Sequence, residues 1–241
     1  MPVDSLERLV PEQLESHEVT GQLTLQLHLE RYQFAAAQVR PGRILDIACG
    51  VGYGTEILFQ GNRQNTEAIG VDCSKDSIKY ATERYAQLGI RFTYADAMSF
   101  QDAHGFDTIV SLETIEHVPD PAGLITHLLQ LLRPGGMFIG SVPTTPTVDA
   151  NPHHLHDFTP QSFRNMFSTH GLQEVTSLQQ VQPFNPITVL ARKEKRLADL
   201  RPNLGSYYVT HPHAFFQRCW STLRHGFANH YLTSVWCKPH A

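Results

Sequence analysis

Apolar residues gather in short runs that alternate with helix-length stretches between residues 41 and 142. Arg43–Ile47, Glu67–Val71, Ile90–Tyr94, Phe106–Ser111 and Met137–Val142 are rich in Ile, Val and Phe, the composition of buried strands. The intervening pattern predicts helices beginning at Thr55–Phe59, over Lys75–Leu88 with a stop at Gly89, and over Pro121–Leu132 with an exit through Arg133 to Gly136. Ahead of the first strand, Leu23, Leu27, Tyr32, Phe34 and Ala35 predict an amphipathic helix over Gln22–Val39, ended by Pro41 and Gly42. Strands joined by helices imply right-handed βαβ units and a parallel sheet covered on both faces.

After Pro143 the pattern changes. Pro160–His170 reads as a helix, Leu172–Val181 as a strand and Tyr231–Cys237 as a last strand, giving the sheet an antiparallel end. Residues 183–229 are rich in aromatics and histidines, too many for a hairpin, and are expected to form a partly helical lid. The division expected is an N-terminal arm and gate over 1–40, a core over 41–182 and 230–241, and the lid between them; residues 1–20 read as a loose or short-helical arm.

Composition narrows the class. A chain of 241 residues that is 41% hydrophobic and 17% charged suits one α/β domain. Net charge −4 offers no basic footprint for duplex nucleic acid, so a nucleic-acid partner is not expected. Cys49, Cys73, Cys219 and Cys237 have no CxxC spacing and read as reduced thiols. The N-terminus does not resemble a signal peptide and no apolar run is long enough to span a bilayer, so the expectation is a cytoplasmic protein, with a homodimer compatible.

The stretch that carries chemistry is Arg43–Thr55. A short strand containing one acid, Asp46, runs into Gly50, Gly52 and Gly54, and a helix starts at once. Strand, glycine turn and helix let backbone N–H groups approach a ligand without intervening side chains. A nicotinamide-binding fingerprint would be spaced GxGxxG, whereas these glycines are spaced GxGxG.

With Asp46 in the strand, this run resembles motif I of the class I S-adenosylmethionine-dependent methyltransferases. The resemblance covers about residues 28–181 and the last strand. It implies a Rossmann-like seven-stranded, mostly parallel sheet with an antiparallel last strand, and S-adenosylmethionine as cofactor. It places the ribose-binding acid at Asp72 beside Cys73, and the adenine contact at Asp96 and Ala97. Asp46, Ala48, Gly50 and Gly52 would meet the methionine part. Leu112, at the end of strand four, and Tyr32, with His28 in the preceding helix, would close over the cofactor. Ala48 stands where the commonest pattern has glycine, a small-for-small change expected to matter little.

Two segments could activate a methyl acceptor. Glu113, Glu116 and His117 follow strand four at spacing i, i+3, i+4, which on a helical turn puts them on one side. Asn151–Thr159 carries His153, His154 and His156 beyond strand five. Together they look like the ligands of metal-dependent O-methyltransferases. Aligning Thr159 and Phe163 with that family's Thr-x-x-x-Phe segment puts His154 at the ligand position, with His153 and His156 as near alternatives. That resemblance implies Glu113, Glu116, His117 and His154 around a divalent Mg, Mn, Fe or Zn, with Glu113, His117 and His154 as catalytic candidates. The blander alternative has His117 as a base or pocket cap, Glu116 as a first-turn helix acid and the other histidines on the surface.

Asn151–Phe163 also resembles a segment of bacterial methyltransferases acting on sugars, polyketides and other secondary metabolites. The leading expectation is therefore an O-methyltransferase acting on a small-molecule hydroxyl. An RNA 2′-O-methyltransferase, an NAD(P)-dependent oxidoreductase and a non-catalytic cofactor-binding subunit are the alternatives. In the lid, Tyr207, Tyr208, Phe215, Phe216 and Trp220 could stack on an acceptor or form the lid's own core. Arg192, Lys193, Lys195, Arg196 and Arg201 make a basic run that reads as a phosphate site or a solvated face.

Overall fold

The structure is a computed structural model that describes residues 9–15, 17–86, 90–192 and 194–240. Five strands, β1 (Arg43–Ile47), β2 (Glu67–Asp72), β3 (Ile90–Tyr94), β4 (Phe106–Leu112) and β5 (Leu132–Pro143), run parallel; β6 (Gln173–Pro183) and β7 (Ala228–Cys237) complete a seven-stranded sheet of order β3-β2-β1-β4-β5-β7-β6. β7 is antiparallel to both β5 and β6. The strand order reverses between β1 and β4, so a crevice opens beyond the C-terminal ends of those two strands.

Helices α1 (Val19–Ala36), α2 (Tyr53–Gln60) and α3 (Lys75–Tyr85) cover one face, and α4 (Pro121–Leu131) and α5 (Pro160–Ser168) the other. Their starts follow local rules. Asp120 accepts from Gly123 N–H at 2.9 Å with Pro121 in the first turn, and Thr159 and Ser162 form a reciprocal capping box ahead of α5. Under α5, the rings of Phe167 and Trp236 stack with centroids 3.8 Å apart.

Several boundaries differ from the periodicity reading. α1 begins three residues earlier and ends at Ala36 rather than Val39. α4 stops at Leu131 because Leu132 already pairs with Phe106; the register then shifts and resumes at Thr108↔Met137, so Arg133–Gly136 lies within the strand. β6 and β7 pair from Gln173↔Cys237 to Pro183↔Ala228, which leaves 184–227 as the insertion. α3 ends at Tyr85, and its expected stop over residues 87–89 lies outside the described residues, as do residues 1–8 of the arm. The insertion is helical, with α6 (Pro186–Leu190), a 3₁₀ turn over Lys195–Asp199, α7 (Leu204–Thr210) and α8 (Pro212–His225).

Candidate active site

The parallel register aligns the strand ends that carry the motif residues. Ile47 is level with Val71 and with Ser111, so Ala48, Asp72 and Leu112 emerge side by side. Ala48, Gly50 and Gly52 all have positive φ (59°, 56° and 89°). That conformation costs an L-residue roughly 1–2 kcal/mol, so Ala48 is a strained stand-in for glycine rather than an indifferent one. A Cβ at Gly52 would lie 2.7 Å from Ala81 Cβ and 2.9 Å from the Phe92 ring, so close packing as well as φ requires glycine there.

Asp72 accepts from Gly50 N–H at 2.9 Å and from Ser74 N–H at 2.8 Å, and so clamps the glycine turn to β2. Asp96 is exposed and accepts from Met98 N–H at 2.7 Å, which shapes the turn after β3. Cys73 is exposed, and Ala97 is half-buried against the core. Asp46 is 0% exposed. Its carboxylate accepts from Thr55 Oγ1 at 2.6 Å and from Tyr32 OH at 3.4 Å, placing it beneath the turn. Burial pushes its pKa up to about 7. Tyr32 seats its ring directly on Gly54, so α1 reaches across the turn from above.

Beside the turn lies a cavity of about 100 Å³, walled by Leu9, Arg31, Tyr32, Ala48–Val51, Tyr53 and Leu112. A second cavity of about 370 Å³ lies under the lid, with apolar walls from Phe184, Val189, Leu197, Leu200, Leu204 and Phe227. His28, Glu113 and His117 line both cavities. These three residues form the junction between the two cavities.

The junction separates residues that the spacing had grouped. Glu113 follows β4 with φ 49°, and its carboxylate accepts from Ser141 Oγ at 2.7 Å. Arg31 Nη1 lies 3.2 Å from the same carboxylate. Glu116 and His117 come three and four residues later, on a 3₁₀ turn over Ile115–His117, so the three do not share one helical face. Arg31 is the site residue that pattern reading missed. It is 1% exposed, donates through Nε to Gln180 Oε1 at 3.1 Å and stacks its guanidinium over Tyr231 at 4.9 Å. Its signal was available: Leu27, Arg31 and Ala35 occupy one stripe of α1, and a charge inside an apolar stripe asks for a buried partner.

Glu116, His117 and His154 do converge, with one ligand atom from each within 4.8 Å of the others. Glu116 is fully buried. His117 Nδ1 faces the His153 carbonyl at 3.2 Å; a carbonyl only accepts, so Nδ1 is the donor of this contact. The His154 ring meets His117 edge-on with centroids 4.6 Å apart, and its Nδ1 lies 2.6 Å from Thr147 Oγ1. Burial, then His117 and His153, lowers the His154 pKa to about 3, so it is neutral near pH 7. His156 donates through Nε2 to Val118 O at 3.0 Å, and His153 is exposed, which leaves His154 as the loop histidine at the site. One carboxylate and two imidazoles suit Mn²⁺, Fe²⁺ or Zn²⁺ better than Mg²⁺. Glu113, held by Arg31 and Ser141, stands outside that group.

The lid is tied down by charge. Arg218 on α8 forms a fork with Asp149, whose Oδ2 also accepts from Tyr208 OH at 2.5 Å. Glu194 accepts from Thr20 and Gly21 N–H at 2.9 and 3.2 Å, and so caps the N-terminus of α1. Among the described residues of the basic run, the three arginines make contacts within the protein. Arg192 donates to the Ala198 and Arg201 carbonyls, Arg201 to those of Val148 and Asp149, and Arg196 is buried at the wall of the larger cavity. Lys193 lies outside the described residues. Of the lid aromatics, Tyr208 turns inward, Tyr207 stacks on His211 and under Arg201, and Phe216 and Trp220 face solvent. Those two are neither lid core nor cavity wall, because Arg218, Ser221 and Thr222 occupy the inner side of α8.

Comparison with known proteins bears on the family and the fold. A protein of Mycolicibacterium smegmatis named "probable S-adenosylmethionine-dependent methyltransferase" is 27% identical over 148 residues, 59% of this chain and 56% of that protein. A ubiquinone biosynthesis O-methyltransferase of Methylococcus capsulatus is 34% identical over 112 residues, 44% of this chain and 46% of the relative. The chain thus spans about half the length of the curated relatives it matches. Among solved structures, the Bacillus YcgJ protein superposes with TM-score 0.67 at 17% identity, covering 89% of this chain and all of that one. The N-methyltransferase NodS of Bradyrhizobium japonicum, solved with S-adenosyl-L-homocysteine, gives 0.61 at 16% identity over 93% and 90% of the two chains. Both share the Rossmann-like methyltransferase fold. The family model described as "Methyltransferase domain" matches residues 21–178, and the chain belongs to that methyltransferase family.

Proposed function

We propose that this protein is an S-adenosylmethionine-dependent O-methyltransferase whose acceptor is a small, largely apolar hydroxyl compound, such as a natural product, bound in the 370 Å³ cavity. The observation that carries the reading is the junction: Glu113 and His117 face both cavities, and Glu116 and His154 converge on His117. An apolar wall fits an aromatic or polyketide-like body better than a free sugar.

The glycine turn, with Leu112 and Tyr32, would hold the donor in the smaller cavity beside the junction. Alignment of donor, methyl and oxygen supplies most of the acceleration, because the sulfonium already carries a good leaving group. His117 Nε2, directed into the junction by the Nδ1 contact to His153, takes the acceptor's proton as the oxygen–methyl bond forms and the sulfur–methyl bond breaks. A divalent ion held by Glu116, His117 and His154 would instead lower the hydroxyl's pKa by charge. Arg31 and Ser141 keep Glu113 at the junction's rim.

The test is transfer of a labelled methyl group to a panel of phenolic, aliphatic and sugar hydroxyls, before and after chelation. O-methylated product that disappears on chelation and returns with Mn²⁺ or Fe²⁺ supports the ion-assisted form. Activity indifferent to chelator assigns activation to His117 alone. Failure to bind S-adenosylmethionine, or methylation of nitrogen or carbon in place of oxygen, would sink the proposal.

A further inference from the structure

Helix α8 is built inside out. Its large apolar residues Phe216, Trp220 and Leu223 fall at spacing i, i+4, i+7, hence on one face, and are 69%, 68% and 83% exposed. The opposite side carries Arg218, Ser221 and Thr222, which face Asp149 and the larger cavity. A surface helix normally turns its apolar stripe to the core. Val209 of α7, Phe215 and Phe227 are also exposed, at 82%, 45% and 53%. An exposed apolar stripe of this kind marks an interaction surface.

Charge says what covers it. Residues 184–227 hold seven Lys and Arg against two Asp and Glu, while the rest of the chain holds twelve against twenty-one. The lid is therefore net +5 on a body of net −9. Two lids meeting face to face would oppose like charges. A lid set on the acidic body of a second copy would make a head-to-tail contact that does not close. An anionic surface attracts the lid instead, and Trp, Phe and Leu on one face with Arg224 and His213 beside them is the side-chain set of a helix lying in a lipid interface.

We propose that α8 docks this protein on anionic phospholipid surfaces, with Phe216, Trp220 and Leu223 entering the headgroup boundary. No helix among the described residues is long and apolar enough to cross a membrane, so the contact is peripheral. Thr222 of α8 and Phe227 just beyond it, itself 53% exposed, line the larger cavity, so the docked helix forms one edge of it. Delivery of an apolar acceptor along that edge rests on the function proposed above; the docking itself does not.

Flotation of the full chain with vesicles of phosphatidylcholine, with and without phosphatidylglycerol, tests the proposal. The expected result is at least about tenfold greater recovery with the anionic vesicles, weakened by added salt. Changing Phe216→Ser, Trp220→Ser and Leu223→Ser together should cut that recovery about tenfold or more. Retained S-adenosylmethionine-induced thermal stabilisation would show that the variant is folded. Trp236 is buried, so a blue shift of tryptophan emission on vesicle addition reports Trp220 and supports the proposal with the unaltered chain. Equal recovery of wild type and triple variant, no flotation at all, or a dimer in sedimentation that the triple variant abolishes would overturn it.

Discussion

The two halves of the site are built by different means. On the donor side, the ends of β1, β2 and β4 and the turn at Ala48–Gly52 carry nearly all the relevant groups, and backbone amides and short acids hold them. On the acceptor side, the groups come from α1, the turn after β4, the loop after β5 and the lid, and long charged side chains hold them. Short-range backbone geometry leaves little room for variation in the donor half. The acceptor half depends on contacts between residues 59 to 174 positions apart, so its shape can change while the donor half stays put.

The sharpest test of that division is chemical. His117→Ala should lower kcat/KM by about 10²–10⁴-fold, or about 3–5 kcal/mol on the barrier, while S-adenosylmethionine affinity by calorimetry changes little. A loss of donor affinity of the same size would mean that the halves are not separable at the junction.

Acid–base behaviour divides them next, with opposite signs. Asp46 titrates near 7 in the folded protein and near 4 unfolded, so its favourable contribution is present below about pH 4 and is lost as pH rises through 7. His154 titrates near 3 folded against 6.5 unfolded, so the metal-free protein loses stability as pH falls from 6.5 toward 3. Each effect is on the order of 4 kcal/mol at its limit. In urea unfolding between pH 4 and 7, Asp46→Asn should steepen the rise of stability with pH and His154→Gln should flatten it. The same direction of change in both variants would contradict the opposed burial assignments.

A smaller effect concerns the contact between α1 and the turn. Gly54→Ala should gain about 1 kcal/mol of helix propensity but lose about 1–3 kcal/mol by driving the new methyl into the Tyr32 ring. The net result expected is a lower Tm together with weakened donor binding. An unchanged Tm would show that α1 yields easily and is no fixed cover.

Smallest is Ala48→Gly. Relief of the left-handed strain, about 1–2 kcal/mol, is partly offset by about 0.5–1 kcal/mol of chain entropy. The expected gain of about 0.5 kcal/mol in chemical denaturation should leave acceptor turnover unaltered. A loss of stability would show that the Ala48 methyl packs usefully.

Legibility followed the same division. The order of strands and helices, the GxGxG turn, Asp46, Asp72 and the positions of the helix caps depend on local φ preference and on periodicities of two and 3.6, both visible in a one-dimensional string. Even so, Asp46 proved to be a buried support bonded to Thr55 and Tyr32, because what a carboxylate faces depends on the neighbouring helix. The grouping of Glu113 with Glu116 assumed a helix where β4 is followed by a left-handed residue and a 3₁₀ turn.

The chain's own pattern therefore determined the doubly wound sheet and its turn, since strand ends in a parallel sheet must gather on one edge whatever covers them. Only the tertiary structure decided that Arg31 meets Glu113, that His154 rather than His153 or His156 joins Glu116 and His117, and that Glu194 caps α1. It alone decided that Phe216 and Trp220 face outward. A buried charge selects its partner by proximity in the folded chain, and a helix with polar residues on one side and apolar residues on the other packs by whichever side finds bonded partners.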